Sequence, residues 1–359
     1  MTDLPDPLDP HPRLSGLRQA ALGAVGFVAT LVLLFGLSSL AGRTASDGSV
    51  AGSPSSAVAG SRAPGSSATP LAIASAASSA IPTVASTIPP GPSPSGDPVL
   101  VGAGDIAVCG LDGDQATADL IAGIPGTVFT AGDNAYESGS AAEFRACYEP
   151  TWGRFLARTR PAPGNHDHNT KDLAGYLGYY GTAAAPDGAS WYSFDLGAWH
   201  VVVLDSSCGD VGGCEPGSAQ GAWLAADLAA SAASCTLAIW HHPRFSSGVH
   251  GNDTSVDPFW RALYAAGADV VINGHDHDYE RFAPQDPDGR EDRARGLREF
   301  VVGTGGVALR DFERVAANSE LRVAVAHGVL ALTLRDGGYD WQFHPTATDF
   351  SDRGTARCH

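Results

Sequence analysis

The sequence predicts an α/β domain with mainly parallel strands at its core, occupying residues 98–359. Three observations carry this. Short apolar runs alternate with helical patterns along the stretch, as strand and helix units do when they follow one another. Several of the runs are near-continuous Val, Ile and Leu, the composition of strands covered on both faces. Five segments also end on Asp, Asn or His, at the strand edge where parallel sheets gather their ligands.

Taken in order, the strand candidates are "PVLVGAG" (98–104), "TVFTAG" (127–132), "WYSFDLG" (191–197), "HVVVLD" (200–205), "TLAIWH" (236–241), "DVVING" (269–274), "EFVVGT" (299–304) and "VLALTLR" (329–335). The second is typical: Val128, Phe129 and Thr130 are strand formers, and the run breaks at Ala131-Gly132. Helix candidates fall between the strands, at 114–122, 141–148, 220–230 and 258–266. No internal repeat interrupts the pattern.

The first 97 residues read differently. Residues 20–41 form a predominantly apolar run without charge. At about 1.5 Å per residue it reaches roughly 33 Å, enough for a hydrocarbon core of about 30 Å. A cleavable signal peptide is the alternative, since Ser39-Leu40-Ala41 loosely resembles a cleavage site, but its apolar part is usually about 7–15 residues. An uncleaved signal anchor is the favoured expectation. Arg13 and Arg18 before the run, against Arg43 just after it, leave residues 1–19 in the cytoplasm and the rest outside. Residues 42–97 are almost wholly Ala, Ser, Gly, Pro and Thr, with no aromatic residue. They cannot bury enough apolar surface to offset their ordering entropy, so a disordered stalk is expected.

Six cysteines, all beyond the apolar run and with no C-x-x-C pair, read as disulfides of an exported domain. Cys208 and Cys214 bracket the glycine-rich loop "CGDVGGC" and are the first pair expected. Cys109 with Cys147 and Cys235 with Cys358 are what remains, and their connectivity stays open. From Pro98 onward 34 acidic against 18 basic residues give a net charge of −16. Such a surface repels nucleic acid backbones, so duplex nucleic acid is not expected as a partner.

The polar residues at the strand ends carry the chemistry. "VLVGAG" is followed by Asp105, "VFTAG" by Asp133, "RPAPG" by Asn165 and His166, "TLAIW" by His241 and His242, and "VVING" by His275 and His277. A glycine precedes four of the five, where it would let the backbone turn. Two Asp, an Asn and three or more His are the ligands of a hard-to-borderline metal site. One aspartate can bridge two ions about 3.5–4 Å apart, so a two-metal hydrolase is the economical reading. There is no H-E-x-x-H, nor a G-x-S-x-G elbow in a strand-turn-helix context, so a peptidase is unsupported.

The ordered series "GD" (104–105), "GDNAY" (132–136), "GNHD" (164–167), "HHP" (241–243) and "GHDHDYER" (274–281) resembles the calcineurin-like metallophosphoesterase superfamily, and within it the purple acid phosphatase branch. The likeness covers residues 99–302 and implies a four-layer αββα sandwich. It implies one ion held by Asp105, Tyr136 and His277, a second held by Asn165, His241 and His275, and Asp133 bridging them. Much of the superfamily begins with Asp-x-His, whereas this chain reads Asp105-Ile106-Ala107. The purple acid phosphatases also lack that His and use a tyrosine three residues past the bridging aspartate, the position of Tyr136. A phenolate favours iron(III) there, with zinc, manganese or a second iron opposite.

By the same resemblance His166 protonates the leaving group and His250 faces the substrate. Asp167 and Asp276 are expected behind the ligands, orienting imidazoles. His168 and His242 are neighbours rather than ligands, and Arg281 pairs structurally with a carboxylate. The expected function is a membrane-anchored phosphatase hydrolysing a small phosphomonoester. A phosphodiesterase or nucleotidase on the same scaffold is the nearest alternative, and a non-catalytic cell-surface module a more distant one.

Overall fold

Side-chain alternation in the most apolar strands dictates the layering. Val201, Val203, Leu237, Ile239, Val270, Ile272, Phe300 and Val302 join one core, while Val202, Leu204, Ala238, Trp240, Val271 and Val301, one residue out of step, join another. A strand with no polar face needs apolar cover on both sides. The computed structural model describes residues 96–359 apart from Thr348. The expected cytoplasmic segment, the apolar run and residues 42–95 of the linker lie outside the described residues. Among the described residues no helix is long and apolar enough to cross a membrane.

Among the described residues thirteen strands form two sheets. They are β1 (Val99–Ala103), β2 (Thr127–Ala131), β3 (Thr159–Ala162), β4 (Tyr192–Leu196), β5 (Trp199–Val203), β6 (Cys235–Ile239), β7 (Val270–Asn273), β8 (Tyr279–Phe282), β9 (Arg298–Val302), β10 (Ser319–Val323), β11 (Gly328–Arg335), β12 (Gly338–Pro345) and β13 (Asp352–Arg357). The first sheet runs β13-β12-β11-β1-β2-β3 and the second β10-β8-β9-β7-β6-β5-β4. Parallel pairing is confined to β1-β2-β3 and to β5-β6-β7-β9, and the flanking strands are antiparallel. All eight expected strands are present. β3, β8, β10, β12 and β13 are additions, short or polar enough to escape an apolar-run reading.

The shared core, with Leu100, Phe129, Leu330 and Leu332 from the first sheet, lies between the sheets. The outer face of the second sheet is covered by the helices Ala219–Ala230 and Asp257–Ala266, through Leu224, Phe259, Trp260 and Leu263. Ser218 caps the former by accepting the Gly221 N–H at 3.0 Å. The latter begins with a proline in its first turn and ends on Gly267 at φ 76°, where a left-handed residue is needed. The helix Gly113–Ala122 packs against the first sheet at β11. The expected helix over 141–148 is α-helical only at Ala141–Glu143 and continues as a π-helical turn, Phe144–Tyr148.

The cysteines pair as Cys109–Cys147, Cys208–Cys214 and Cys235–Cys358. The last joins the start of β6 to the C-terminal tail across 123 residues, so it removes the most freedom from the unfolded chain. The double variant C235S/C358S is expected to lose up to about 5 kcal/mol of unfolding free energy on chain-entropy grounds, measured by urea denaturation.

Candidate metal centre

Parallel register brings two acids together. Gly102 stands opposite Phe129 and Ala103 opposite Thr130, so Asp105 and Asp133 leave β1 and β2 side by side. Both have left-handed backbone, φ 59° and 49°, as does His275 beyond β7 at φ 73°. That conformation costs a non-glycine residue about 1–2 kcal/mol, and it collects at functional sites.

The preceding glycines were expected to turn the backbone, but mostly they provide room. A Cβ on Gly104 would lie 2.7 Å from the Ala131 carbonyl oxygen, one on Gly164 2.2 Å from Asp133 Oδ1, and one on Gly274 2.6 Å from Asp105 Oδ2. Only Gly132 does both, with φ 83° and a Cβ position 2.5 Å from His241 Nδ1. After β1 and β7 the turn falls on the ligand itself, Asp105 and His275.

Asp133 stands at the middle. Its Oδ2 accepts the Tyr136 hydroxyl at 2.9 Å and lies 3.1 Å from His241 Nε2, and its Oδ1 accepts the His166 N–H at 2.8 Å. On one side, Tyr136 also reaches Asp105 Oδ1 at 2.8 Å, and His277 Nε2 is 3.4 Å from the same oxygen. On the other, His241 Nε2 is 3.0 Å from Asn165 Oδ1 and 3.2 Å from His275 Nδ1. The His275 N–H ties the halves together by donating to Asp105 Oδ2 at 2.8 Å. All seven expected ligands therefore converge.

Two of the imidazoles have a tautomer set by the backbone. His241 Nδ1–H donates to the Ala131 carbonyl at 2.8 Å, and His277 Nδ1–H to the Ala308 carbonyl at 3.0 Å. Each leaves Nε2 as the ring nitrogen that faces the acids. Burial alone would raise the Asp133 carboxyl, but His241 and then His166 outweigh it and hold it below the usual carboxylate range. Burial alone would lower His241, yet Asp133 pushes it up to about 9. Burial and the charges of Asp105 and Asp133 hold the Tyr136 proton tightly. Burial, then repulsion by His242 and His241, keeps His275 neutral.

Such a donor set fits cations. Asp105 and Asp133 are fully removed or nearly removed from water at 0% and 1% exposure, and burying acids costs free energy unless positive charge compensates. Ligand atoms of Asp105, Asp133 and His241 all lie within 4.8 Å of one another. Asp105, Tyr136 and His277 could hold one ion, and Asn165, His241 and His275 another.

The surrounding residues differ in part from expectation. Asp167 and Asp276 bond backbone, side-chain amide and hydroxyl groups rather than imidazoles. Asp167 accepts the Gly164 N–H at 2.9 Å and the Asn134 side-chain amide at 2.9 Å, with its pKa pushed up to about 7 by burial and by Asp133. Asp276 accepts the Ser246 hydroxyl, and the His250 N–H at 2.9 Å. Asp167 lies in the short helix Asn165–His168 and Asp276 in the bend between β7 and β8, and neither backbone path brings the carboxylate onto the imidazole next to it in sequence. His168 bonds Asp205 at 3.0 Å and His242 bonds Ser206 at 2.8 Å. Arg281 pairs with Asp352 at 2.8 Å. His250 lies over His275, ring centroids 4.3 Å apart.

Arg310 was not anticipated. Its NH1 lies 2.7 Å from His250 Nε2. The available signal was "GTGG" (303–306) at the end of β9, another glycine-rich strand end: a Cβ on Gly303 would lie 2.9 Å from Asp105 Oδ2.

Fold and donor set together define a metal-centred α/β sandwich with its site at the carboxyl edge of both sheets. The family model for calcineurin-like phosphoesterases matches residues 99–279, and the chain belongs to that family. Among curated proteins it is similar to purple acid phosphatase 15 of Arabidopsis thaliana, 31% identical over an alignment of 156 residues, with 37% of this chain and 29% of the relative covered. It is also similar to purple acid phosphatase 21 of the same plant, 28% identical over an alignment of 256 residues, with 59% of this chain and 56% of the relative covered. The chain thus spans less than two thirds of either relative. A solved purple acid phosphatase, PPD1 from yellow lupin seeds, shares the fold at TM-score 0.58 and 19% identity, covering 72% of this chain and 53% of that one.

The metal-free centre has a defined pH window. A depressed Asp133 stabilises the fold above the ordinary carboxylate range and ceases to as pH falls through its folded pKa. A raised His241 stabilises fully below 6.5 and loses that contribution as pH rises through about 9. Metal-stripped protein is expected to lose melting temperature from pH 6.5 to 9 more steeply than stripped His241→Ala. Metal-loaded protein should gain affinity for its ions over the same range, because a ligating imidazole must first lose its proton. Thermal melts with and without chelator check both.

Proposed function

We propose that the protein is a dinuclear metal-dependent phosphatase that hydrolyses small phosphomonoesters outside the cytoplasm. The observation that carries the dinuclear reading is the position of Asp133 Oδ2, 2.9 Å from the Tyr136 hydroxyl and 3.1 Å from His241 Nε2. One oxygen touches a member of each ligand set, as a bridge must. Bound cations supply Lewis acidity and a nucleophile drawn from water at neutral pH.

The chain's own residues do the rest. His166 Nδ1–H donates to the Glu137 carbonyl at 2.7 Å, so Nε2 faces the centre, 4.0 Å from Asp133 Oδ2. An imidazolium in that pose can hand its Nε2 proton to a departing alkoxide. The Tyr136 ring, 4.3 Å from the His166 ring, limits where that imidazole can swing. Tyr136 itself gives up its phenol proton only to a strong cation, which favours iron(III) on its side and zinc, manganese or a second iron opposite.

Three disulfides suit an oxidising compartment, and the apolar run at 20–41 suits a single-pass anchor with the domain extracytoplasmic, or a secreted domain if it is cleaved. The relatives, named as purple acid phosphatases, support the phosphatase reading. Excess acidity argues against duplex nucleic acid as a partner.

Metal-loaded protein is expected to turn over p-nitrophenyl phosphate with kcat/KM at least about tenfold above that for its bis-ester; the reverse ratio would make it a diesterase. His166→Ala should lower kcat by about 10²- to 10⁴-fold with metal content retained, and loss of metal would instead make His166 a ligand. Iron-loaded protein should show a visible tyrosinate charge-transfer band that Tyr136→Phe abolishes. A band that survives the substitution removes the assignment.

A further inference from the structure

The loop after β9 is tied to the centre through both sides of one ligand. His277 Nδ1–H donates to the Ala308 carbonyl at 3.0 Å, and the Arg310 N–H donates back to the His277 carbonyl at 3.0 Å. Arg310 therefore starts from a fixed point beside the expected ligand of the first ion. Its guanidinium NH1 then meets His250 Nε2 at 2.7 Å. His250 is held in turn by its own N–H on Asp276 Oδ1 at 2.9 Å, and its ring lies 4.3 Å from that of His275, a ligand of the other half.

The two loops interlock at a second place. Arg314 lies across Gly251, which has φ 72°, and a Cβ there would fall 1.2 Å from Arg314 NH2. The rim of the centre on this side is thus one unit built from residues 248–251 and 308–314, with Arg310 joined to both His277 and His250.

A guanidinium only donates, so it leaves His250 Nε2 as the acceptor and puts the imidazole proton on Nδ1. His250 as placed is neutral, and the guanidinium at this rim belongs to Arg310. The guanidinium fork matches phosphate oxygens and binds them in pairs. A phosphomonoester carries close to two negative charges near neutral pH, because its second pKa is about 6, while a diester carries one.

We infer that Arg310, positioned by His250 and by the backbone of His277, binds a phosphoryl oxygen of the substrate and selects dianionic monoesters over monoanionic diesters. This rests on the phosphatase reading and names what in the chain sets its substrate class. Arg310 is a substrate-binding residue in this account, and His250 its positioning partner.

The test uses the full metal-loaded protein and inorganic phosphate as the probe, titrated by calorimetry into wild type, Arg310→Ala, Arg310→Gln, His250→Ala and the double variant H250A/R310A, with metal content measured for each. Loss of Arg310 is expected to weaken phosphate binding by roughly 10- to 100-fold, as for other bonds to charged groups. Most of that loss should persist when His250 is already Ala. The ratio of kcat/KM for p-nitrophenyl phosphate to that for its bis-ester should fall by about tenfold or more.

Arg310→Gln keeps the backbone tie and part of the side chain's length and polarity, so it carries the test should Arg310→Ala disturb the ion at His277. Phosphate affinity within about twofold of wild type in a metal-loaded Arg310 variant overturns the inference. So does a loss that disappears in the His250→Ala background, which would make Arg310 a buttress for His250 alone. Wild-type protein that hydrolyses neither ester would sink the phosphatase reading, while the phosphate titration would still decide what Arg310 binds.

Discussion

Two carboxylates that repel each other are held in a place without water, and much of the structure follows from that. Asp105 and Asp133 emerge from neighbouring parallel strands and both take the Tyr136 hydroxyl, at 2.8 and 2.9 Å. In bulk solvent two such charges would part. Here the β1–β2 register and the strained left-handed backbone at both residues prevent it. The stored cost is recovered only where positive charge enters, which is why His241 is drawn toward its protonated state in the metal-free molecule and why the residues suit cations.

The second sheet supplies the opposing half of the donors without adding like charge. His241 follows β6, and His275 and His277 follow β7, each through a connection whose backbone is fastened down. The segment from His241 to His250 is strung on buried acids: Glu299 Oε1 accepts the N–H groups of Arg244 and Phe245 at 3.0 and 3.3 Å, Glu280 Oε2 accepts Ser247 N–H at 2.7 Å, and Asp276 holds His250. Carboxylates that accept several backbone donors act as rigid anchors, because each lost bond would leave a buried acceptor unsatisfied. Packing explains the glycines in the same terms. At Gly132, Gly274 and Gly303, where loops of the two sheets pass each other, a Cβ would fall within 3 Å of an atom of His241 or Asp105, so none fits.

Division of labour among the histidines comes from their partners rather than their positions in sequence. His241 and His277 each lose the choice of tautomer to a backbone carbonyl and can offer only Nε2 inward. His166 is treated the same way by Glu137, yet its Nε2 ends 4.0 Å from the central carboxylate rather than in contact with it, a place for moving a proton rather than holding an ion. His168, bonded to Asp205, and His242, bonded to Ser206, brace loops around the centre.

The sequence alone determined the parts of this protein that depend on near neighbours along the chain. Apolar runs with β-branched residues made the eight expected strands, and a polar residue after such a run placed Asp105, Asp133, Asn165, His241, His275 and His277 at strand ends. Ala107, where a histidine would ligate in much of the superfamily, pointed to Tyr136. Polar or short strands such as β10 and β13 were not legible, because hydrogen bonding to a neighbouring strand, rather than their own composition, makes them strands. Nor were the partners of Asp167 and Asp276, or the place of Arg310, 60 residues from the histidine it touches. Those were decided only when the two sheets closed face to face, since which side chains meet across a site depends on register, loop path and available space, and none of these is encoded in any single stretch of chain.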